Sequence, residues 1–437
     1  TLTMLSDRFL YNESNHEWTV GRFLGDLEQR YGGADCVLLW QSYTNMGVDE
    51  KNQIDLIRVA PGGVAGVKAL VAEFHAANVS VLFPWNQWAS GELAWGPRAE
   101  PDSNFVKLLA EVDADGFNTD SGGRSALPGE SKYHFPNQPL THGFDGNAFV
   151  SQGLTDFPMG FHGHDLLNQP EHGAGCPAGL TTGGWAGEGA GPGPGFNGLG
   201  SRAAACVECA KWLEPRHKTQ WVGRSDVLRQ PALKWAFFNA NGYDTWESVW
   251  GWWNGISKKD GETMRRIFTV LRQFQRATSS CDFRPFFPVS APAGVEARAT
   301  LFPLNASDAK SSVVTEWLLT VISNTASPTS DTPLGNYSVV SAPAGRDGSR
   351  YYDVWNGQEL HPVQAATGKD VTLHLTNQQD EYGAVAMVSG ETASSPAFAG
   401  FLATMHNLSA TPLGSLSPAQ VQSFDYKFNV NGDVRGA

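Results

Sequence analysis

Asp113-Ala-Asp115-Gly-Phe-Asn118-Thr-Asp120-Ser-Gly-Gly decides how the rest of the chain is read. A short strand-forming run stops on a carboxylate and passes at once into a Ser-Gly-Gly turn. Positions 116, 118 and 120 share a parity, so Asn118 and Asp120 fall on one face of that strand. In parallel α/β barrels, chemistry gathers at the C-terminal ends of the strands. Asp120 is therefore a candidate nucleophile or charge stabiliser, with Asn118 beside it. The competing structural reading is that Asp120 caps the turn.

Upstream, the pattern alternates. A helical pattern covers residues 18–31, and Cys36-Val-Leu-Leu-Trp40 is a short apolar run of the buried-strand type. Val67, Leu70, Val71 and Phe74 recur at helical spacing, and residues 79–86 form the next strand, ending on Trp85-Asn86. A short helix over 105–112 leads back into the Asp120 strand. Strand, helix and strand in alternation imply a parallel sheet with helices packed on it.

Downstream, the rhythm breaks. Residues 121–200 are a loop-rich insertion with a Gly/Pro tract over 183–200 and four His between 142 and 172. His162-Gly-His164-Asp165 reads as surface histidine rather than a ligand set, and no metal is expected. A helix over 203–213 carries Cys206-Val-Glu-Cys209, which lacks the second cysteine pair of a zinc site. Residues 219–226 form a second strand ending in a carboxylate, with Arg224 and Asp226 on one parity. A strand over 233–242 ends in amides, among them Asn239. It runs into Tyr243-Asp-Thr-Trp246-Glu247-Ser-Val-Trp250-Gly-Trp-Trp253-Asn254, whose tryptophans and acids suit a sugar site or, alternatively, a plugged core. A helix over 263–274 comes next.

From residue 283 the periodicity changes. Strand-like runs at 299–303, 313–322, 338–340, 350–354, 371–375 and 384–388, with turn signals between them, predict a β-sandwich. The expected organisation is a (β/α)8 TIM-type barrel over 1–282 with its insertion near 121–200, and an all-β sandwich over 283–400. Residues 401–437 are expected to be a linker or tail leading to a missing module.

Composition narrows the function classes. A net charge of −13 argues against nucleic acid as a partner. No apolar run is long enough to span a membrane. The fifteen tryptophans offer platforms for the apolar face of a sugar ring. Sequons at Asn12, Asn78, Asn305, Asn336 and Asn407 predict a secreted or extracellular glycoprotein. In that compartment five cysteines allow up to two disulfides and one free thiol.

Two strand-end carboxylates are what glycoside hydrolysis requires, one as acid and one as nucleophile or base. Asp120 is the expected nucleophile and Asp226 the acid/base, its pKa lifted by burial or by the first charge. Arg224 would work against that lift, and Glu247 is the substitute acid. Trp40, Trp85, Asn86, Asn118, Arg224, Asn239 and Trp246 are the candidate substrate contacts, the substrate is a carbohydrate, and no cofactor is needed.

Ala-Asp-Gly-Phe-Asn-Thr-Asp120 at an apparent fourth strand and Arg-Ser-Asp226 at an apparent sixth resemble the retaining α-glycosidase barrels of the α-galactosidase and α-glucosidase type. The resemblance implies Asp120 as nucleophile and Asp226 as acid/base. The stretches 235–254 and 350–360 are also similar to large exported proteins in which a barrel and a sandwich precede a formylglycine-generating-enzyme-like module. That likeness implies no activity for this part. The leading expectation is a secreted glycoside hydrolase. Its alternative is a non-catalytic barrel that binds glycans or serves an extracellular assembly with other proteins. A redox or metal enzyme built on the histidines is the weakest of the three readings.

Overall fold

The computed structural model describes residues 1–42, 51–86, 102–120, 140–143, 159–160, 220–223, 229–245, 247–249, 252–253, 256–280, 282–293, 295–305, 314–325, 335–364 and 368–419. Five strands, β1 (Leu2–Met4), β2 (Cys36–Trp40), β3 (Ser80–Asn86), β4 (Gly116–Asp120) and β5 (Leu140–Gly143), form a sheet in that order. Every pairing in it is parallel. A second parallel sheet holds β6 (Met159–Gly160), β7 (Gln220–Gly223) and β8 (Gly242–Thr245). The end of the second sheet reaches the start of the first: the Glu247 N–H donates to the Leu2 carbonyl at 2.7 Å.

Helices follow the strands as the sequence pattern demands. They are α1 (Val20–Tyr31), α2 (Gln53–Arg58), α3 (Gly63–Ala76), α4 (Asp102–Glu111), α5 (Arg229–Asn239) and α6 (Lys258–Gln273). In α3 the buried residues are Val67, Leu70, Val71 and Phe74, the stripe read from the sequence. α6 starts where the Ser257 hydroxyl accepts from the Asp260 N–H at 3.0 Å, satisfying one orphan donor of its first turn.

Residues 229–239 are a helix and not the strand expected over 233–242. The run Leu233-Lys-Trp-Ala-Phe-Phe238 is apolar on both parities, so periodicity could not separate a buried helix from a buried strand. The strand is the shorter β8, reached after Ala240 turns the chain with φ of +51°.

The C-terminal part contains two antiparallel sheets. The six-stranded sheet runs Arg284–Pro285, Val295–Asn305, Val314–Thr325, Tyr382–Val388, Arg350–Asp353 and Gln358–Leu360. The four-stranded sheet runs Val289–Ser290, Gly335–Pro343, Asp370–Gln378 and Val363–Gln364. Period-two alternation splits their side chains between two cores. Trp317, Leu319 and Val321 pack between the sheets, while Leu318 and Ile322 join the core of the α/β part. With both faces buried, the strand reads as one apolar run.

The segment after residue 400, expected to be a tail, is structured up to Ala419. Helix α7 (Pro396–Ser409) opens on Ser395, whose hydroxyl accepts from the Phe398 N–H at 3.2 Å, with Pro396 in its first turn. Phe398, Phe401 and Met405 bury its inner stripe. The capping pair Ser395-Pro396 is the local signal for this helix.

The two parts are joined by buried charge as well as by core. Arg266 of α6 is fully buried and donates to Asp380 at 2.8 Å and to the carbonyls of Leu408 and Thr411 at 2.6 Å. Asp380 also accepts from the Trp355 indole and the Leu413 N–H. Lys234 of α5 pairs with Glu381 at 2.7 Å. The sandwich thus braces the α/β part.

Candidate active site

The strand register assembles the candidate site. Leu38 pairs with Leu82, and Leu82 with Gly116. One step up, Pro84 pairs with Asn118 and Asn118 with His142. At the top, Asn86 pairs with Asp120. Trp40 stands beside Met4 on the neighbouring pair.

The other parity identifies which face this is. Val37, Leu39, Val81, Phe83, Trp85 and Phe117 are all buried in the helix-side core. Trp85 packs on Phe105 of α4 with ring centroids 4.7 Å apart, and Phe105 meets Phe117 edge-on. Positions 84, 86, 118, 120 and 142 therefore belong to the face turned away from the helices. Asn86, Asn118, Asp120 and Trp40 share that face, and Asp120 is the last residue of β4.

Three expected site residues are placed elsewhere. Trp85, 2% exposed, fills the strand–helix layer and is not a sugar platform. Asn239 ends α5, ahead of β8 and so away from that strand's C-terminal end. Glu247 is fully buried: it accepts from Arg30 at 2.5 Å and from the Tyr31 hydroxyl at 2.9 Å. Both partners sit at the end of α1, so the substitute acid lies on the helix side and is held by a guanidinium. Asp26 completes the cluster at 2.7 Å from Arg30. Burial acts to lower the Arg30 pKa, but the charges of Glu247 and Asp26 outweigh it and keep the guanidinium protonated. Burial, and then the charge of Glu247, push the Tyr31 phenol well up, so it stays a donor. Asp226, Arg224 and Trp246 lie outside the described residues.

Two features escape a reading of the sequence. His142 belongs by position to the histidines of the insertion, yet β5 sets it in register with Asn118. Gln41 and Ser42 come directly after β2 at its C-terminal end and are buried, and the Gln41 amide donates to the Pro84 carbonyl at 3.2 Å. Polar residues directly after a buried strand were the available signal.

Asn78, Asn336 and Asn407 are exposed, Asn12 is half-buried in a short hairpin, and Asn305 ends a sandwich strand. Cys36 opens β2, and no disulfide occurs among the described residues. The other four cysteines and the pair His162 and His164 lie outside them. No helix among the described residues is long and apolar enough to cross a membrane.

The fold is shared with glycoside hydrolases of the α-amylase type, as the sequence resemblance implied. The α-amylase from Geobacillus thermoleovorans, solved with acarbose, matches with a TM-score of 0.51 at 10% identity, covering 89% of this chain and 98% of that one. A maltogenic α-amylase from Thermotoga neapolitana gives 0.48 at 11% identity, over 89% and 98% of the two chains. An α-galactosidase from Mortierella vinacea gives 0.43 at 12%, over 84% and 90%. No protein-family model and no curated protein sequence matches the chain.

Proposed function

We propose that the chain is a secreted glycoside hydrolase of the retaining type, acting on a carbohydrate through Asp120 as nucleophile and Asp226 as acid/base. The two parallel sheets would close into one (β/α)8 barrel, for which the Glu247-to-Leu2 hydrogen bond supplies one stitch. The observation that carries the reading is the place of Asp120. It ends the fourth parallel strand, on the face away from the helices, opposite Asn86. The fold shared with an α-amylase supports it.

In the retaining mechanism the nucleophile attacks the anomeric carbon while the acid protonates the leaving oxygen. A glycosyl–enzyme ester forms, and water then cleaves it with the acid acting as base. The two carboxyl groups stand about 5–5.5 Å apart in such enzymes. Asn86 and Asn118 would donate to the sugar hydroxyls and hold Asp120 ionised. The exposed sequons at Asn78, Asn336 and Asn407 fit an exported glycoprotein.

The test is to trap the ester. A panel of activated 2-fluoro-α-glycosides is incubated with the protein, and digested peptides are read by mass spectrometry. One glycosyl adduct on Asp120 is the expected result. An adduct on another carboxylate would remove Asp120 from its role. Saccharide binding with no adduct and no turnover would favour a non-catalytic barrel, a reading to which the withdrawal of Glu247 and Trp85 into packing lends weight.

A further inference from the structure

The cluster around Glu247 is more elaborate than packing requires. Three segments distant in sequence meet there: the end of α1, the start of β1 and the chain just beyond β8. Tyr31 reaches both the Glu247 carboxylate and the Thr245 hydroxyl, at 2.9 and 3.0 Å. The Thr1 hydroxyl donates to the Thr245 carbonyl at 2.9 Å, and the Glu247 N–H to the Leu2 carbonyl. The end of α1 is itself fixed. Gly261 of α6 lies so close to the Arg30 carbonyl that a Cβ there would collide with it. Arg265 donates to the carbonyls of Glu28 and Gln29 at 2.8 Å. Arg30 is thus a rigid anchor, and Glu247 is fastened to it.

Glu247 leads directly into a two-stranded antiparallel hairpin, with Ser248 paired to Trp253 and Val249 to Trp252. Its first strand runs beside β1. It leaves from the C-terminal end of β8, the end at which parallel strands carry their sites. A carboxylate that is buried, paired and one residue ahead of this hairpin controls where the hairpin stands.

We propose that Glu247 is a positioning residue: clamped to Arg30 and Tyr31, it sets the two hairpin strands, Ser248–Val249 and Trp252–Trp253, beside β1, as a platform for a saccharide unit of the substrate. This rests on the hydrolase reading for its substrate, but the anchoring is tested without it. The hairpin contributes binding to the apolar faces of sugar rings, and Glu247 takes no proton from and gives none to the reaction.

Glu247→Gln removes the charge and keeps the shape. Hydrogen exchange measured by mass spectrometry should show the amides of Ser248, Val249, Trp252 and Trp253 exchanging at least about tenfold faster, because local opening becomes easier. Exchange in Val314–Thr325 should be unchanged. Asp26→Leu, Arg30→Met and Glu247→Met together, which replace all three buried charges by apolar groups, should restore most of the protection. With maltoheptaose as the probe, Glu247→Gln should raise KM severalfold, keep kcat within about twofold, and leave both limbs of the pH profile in place, because only uniform binding is lost. Unchanged exchange at the hairpin overturns the proposal. So does a collapse of kcat with loss of one pH limb, which would make Glu247 the acid. Faster hairpin exchange in a protein that neither cleaves nor binds any saccharide would sink the hydrolase reading and the platform, and leave the anchor.

Discussion

The parallel sheet has two faces of opposite character. On the helix side stand Val37, Leu39, Val81, Phe83, Trp85 and Phe117, all sealed in the core. On the other face the register sets Trp40, Pro84, Asn86, Asn118, Asp120 and His142. Adjacent residues of one strand therefore answer to different demands. Trp85 and Asn86 are neighbours in sequence, yet one packs on Phe105 and the other sits opposite Asp120. Parity, more than residue type, separates the packed face from the face proposed to carry the chemistry.

That division of labour is most open to failure at Asp120. Asp120→Asn should lower kcat by about 10⁴-fold or more, the scale at which a catalytic unit fails when its nucleophile is lost. Its urea midpoint should match the wild type. A kinetic scan together with one denaturation curve checks both halves, and a large loss of stability with residual turnover would merge the two faces into one.

Trp85→Ala is the mirror experiment. Emptying that space should cost about 3–5 kcal/mol of stability, while turnover per folded molecule changes little. If kcat fell with stability intact, Trp85 would have to be counted with the substrate face.

Arg266→Leu tests the brace between the α/β part and the sandwich. It strands Asp380 and several carbonyls in a buried place, and about 3–5 kcal/mol should be lost. Calorimetry should show the melting temperature falling as one transition, since one core runs through both parts. Two separated transitions would mean that the parts fold independently.

Ser395→Ala should cost about 1 kcal/mol, the value of an N-cap. That loss would mark α7 as an integral element, and no change in the denaturation midpoint would return it to the status of a tail.

The finest test is in pH. Burial raises the pKa of Asp353 above the ordinary carboxylate value, against the hydrogen bonds it accepts from Asn356 and Gln378. The folded chain holds this proton more tightly than the unfolded one. The stability it contributes is present below the unfolded pKa, at about pH 4, and is lost as pH rises through the folded value. Wild type should therefore gain on Asp353→Asn as urea titrations move from neutral pH toward about pH 4. A gap that widened toward neutrality would reverse the assignment.

Much of the architecture was legible along the chain. The helical stripe Val67, Leu70, Val71 and Phe74 survived into α3, and each strand expected after residue 283 has its counterpart in the two antiparallel sheets. Failures fell where local pattern is blind. In α5, Leu233, Ala236, Phe237 and Phe238 are buried on both parities, which erases the difference between periods of two and 3.6. Helix α7 announced itself only by its cap. At the site, the parity of Asn118 and Asp120 was readable, because alternation is a property of one strand.

By itself, then, the sequence determined the alternation of strands and helices, the β-rich C-terminal part, and the strand that ends on Asp120. Only tertiary structure decided which strand lies beside which. Register brought Asn86 to Asp120 and His142 to Asn118. It also drew Glu247 away from the site, because an ion pair with Arg30 joins residues 217 positions apart. Such contacts depend on how the chain closes in space, and no local period of the sequence encodes that.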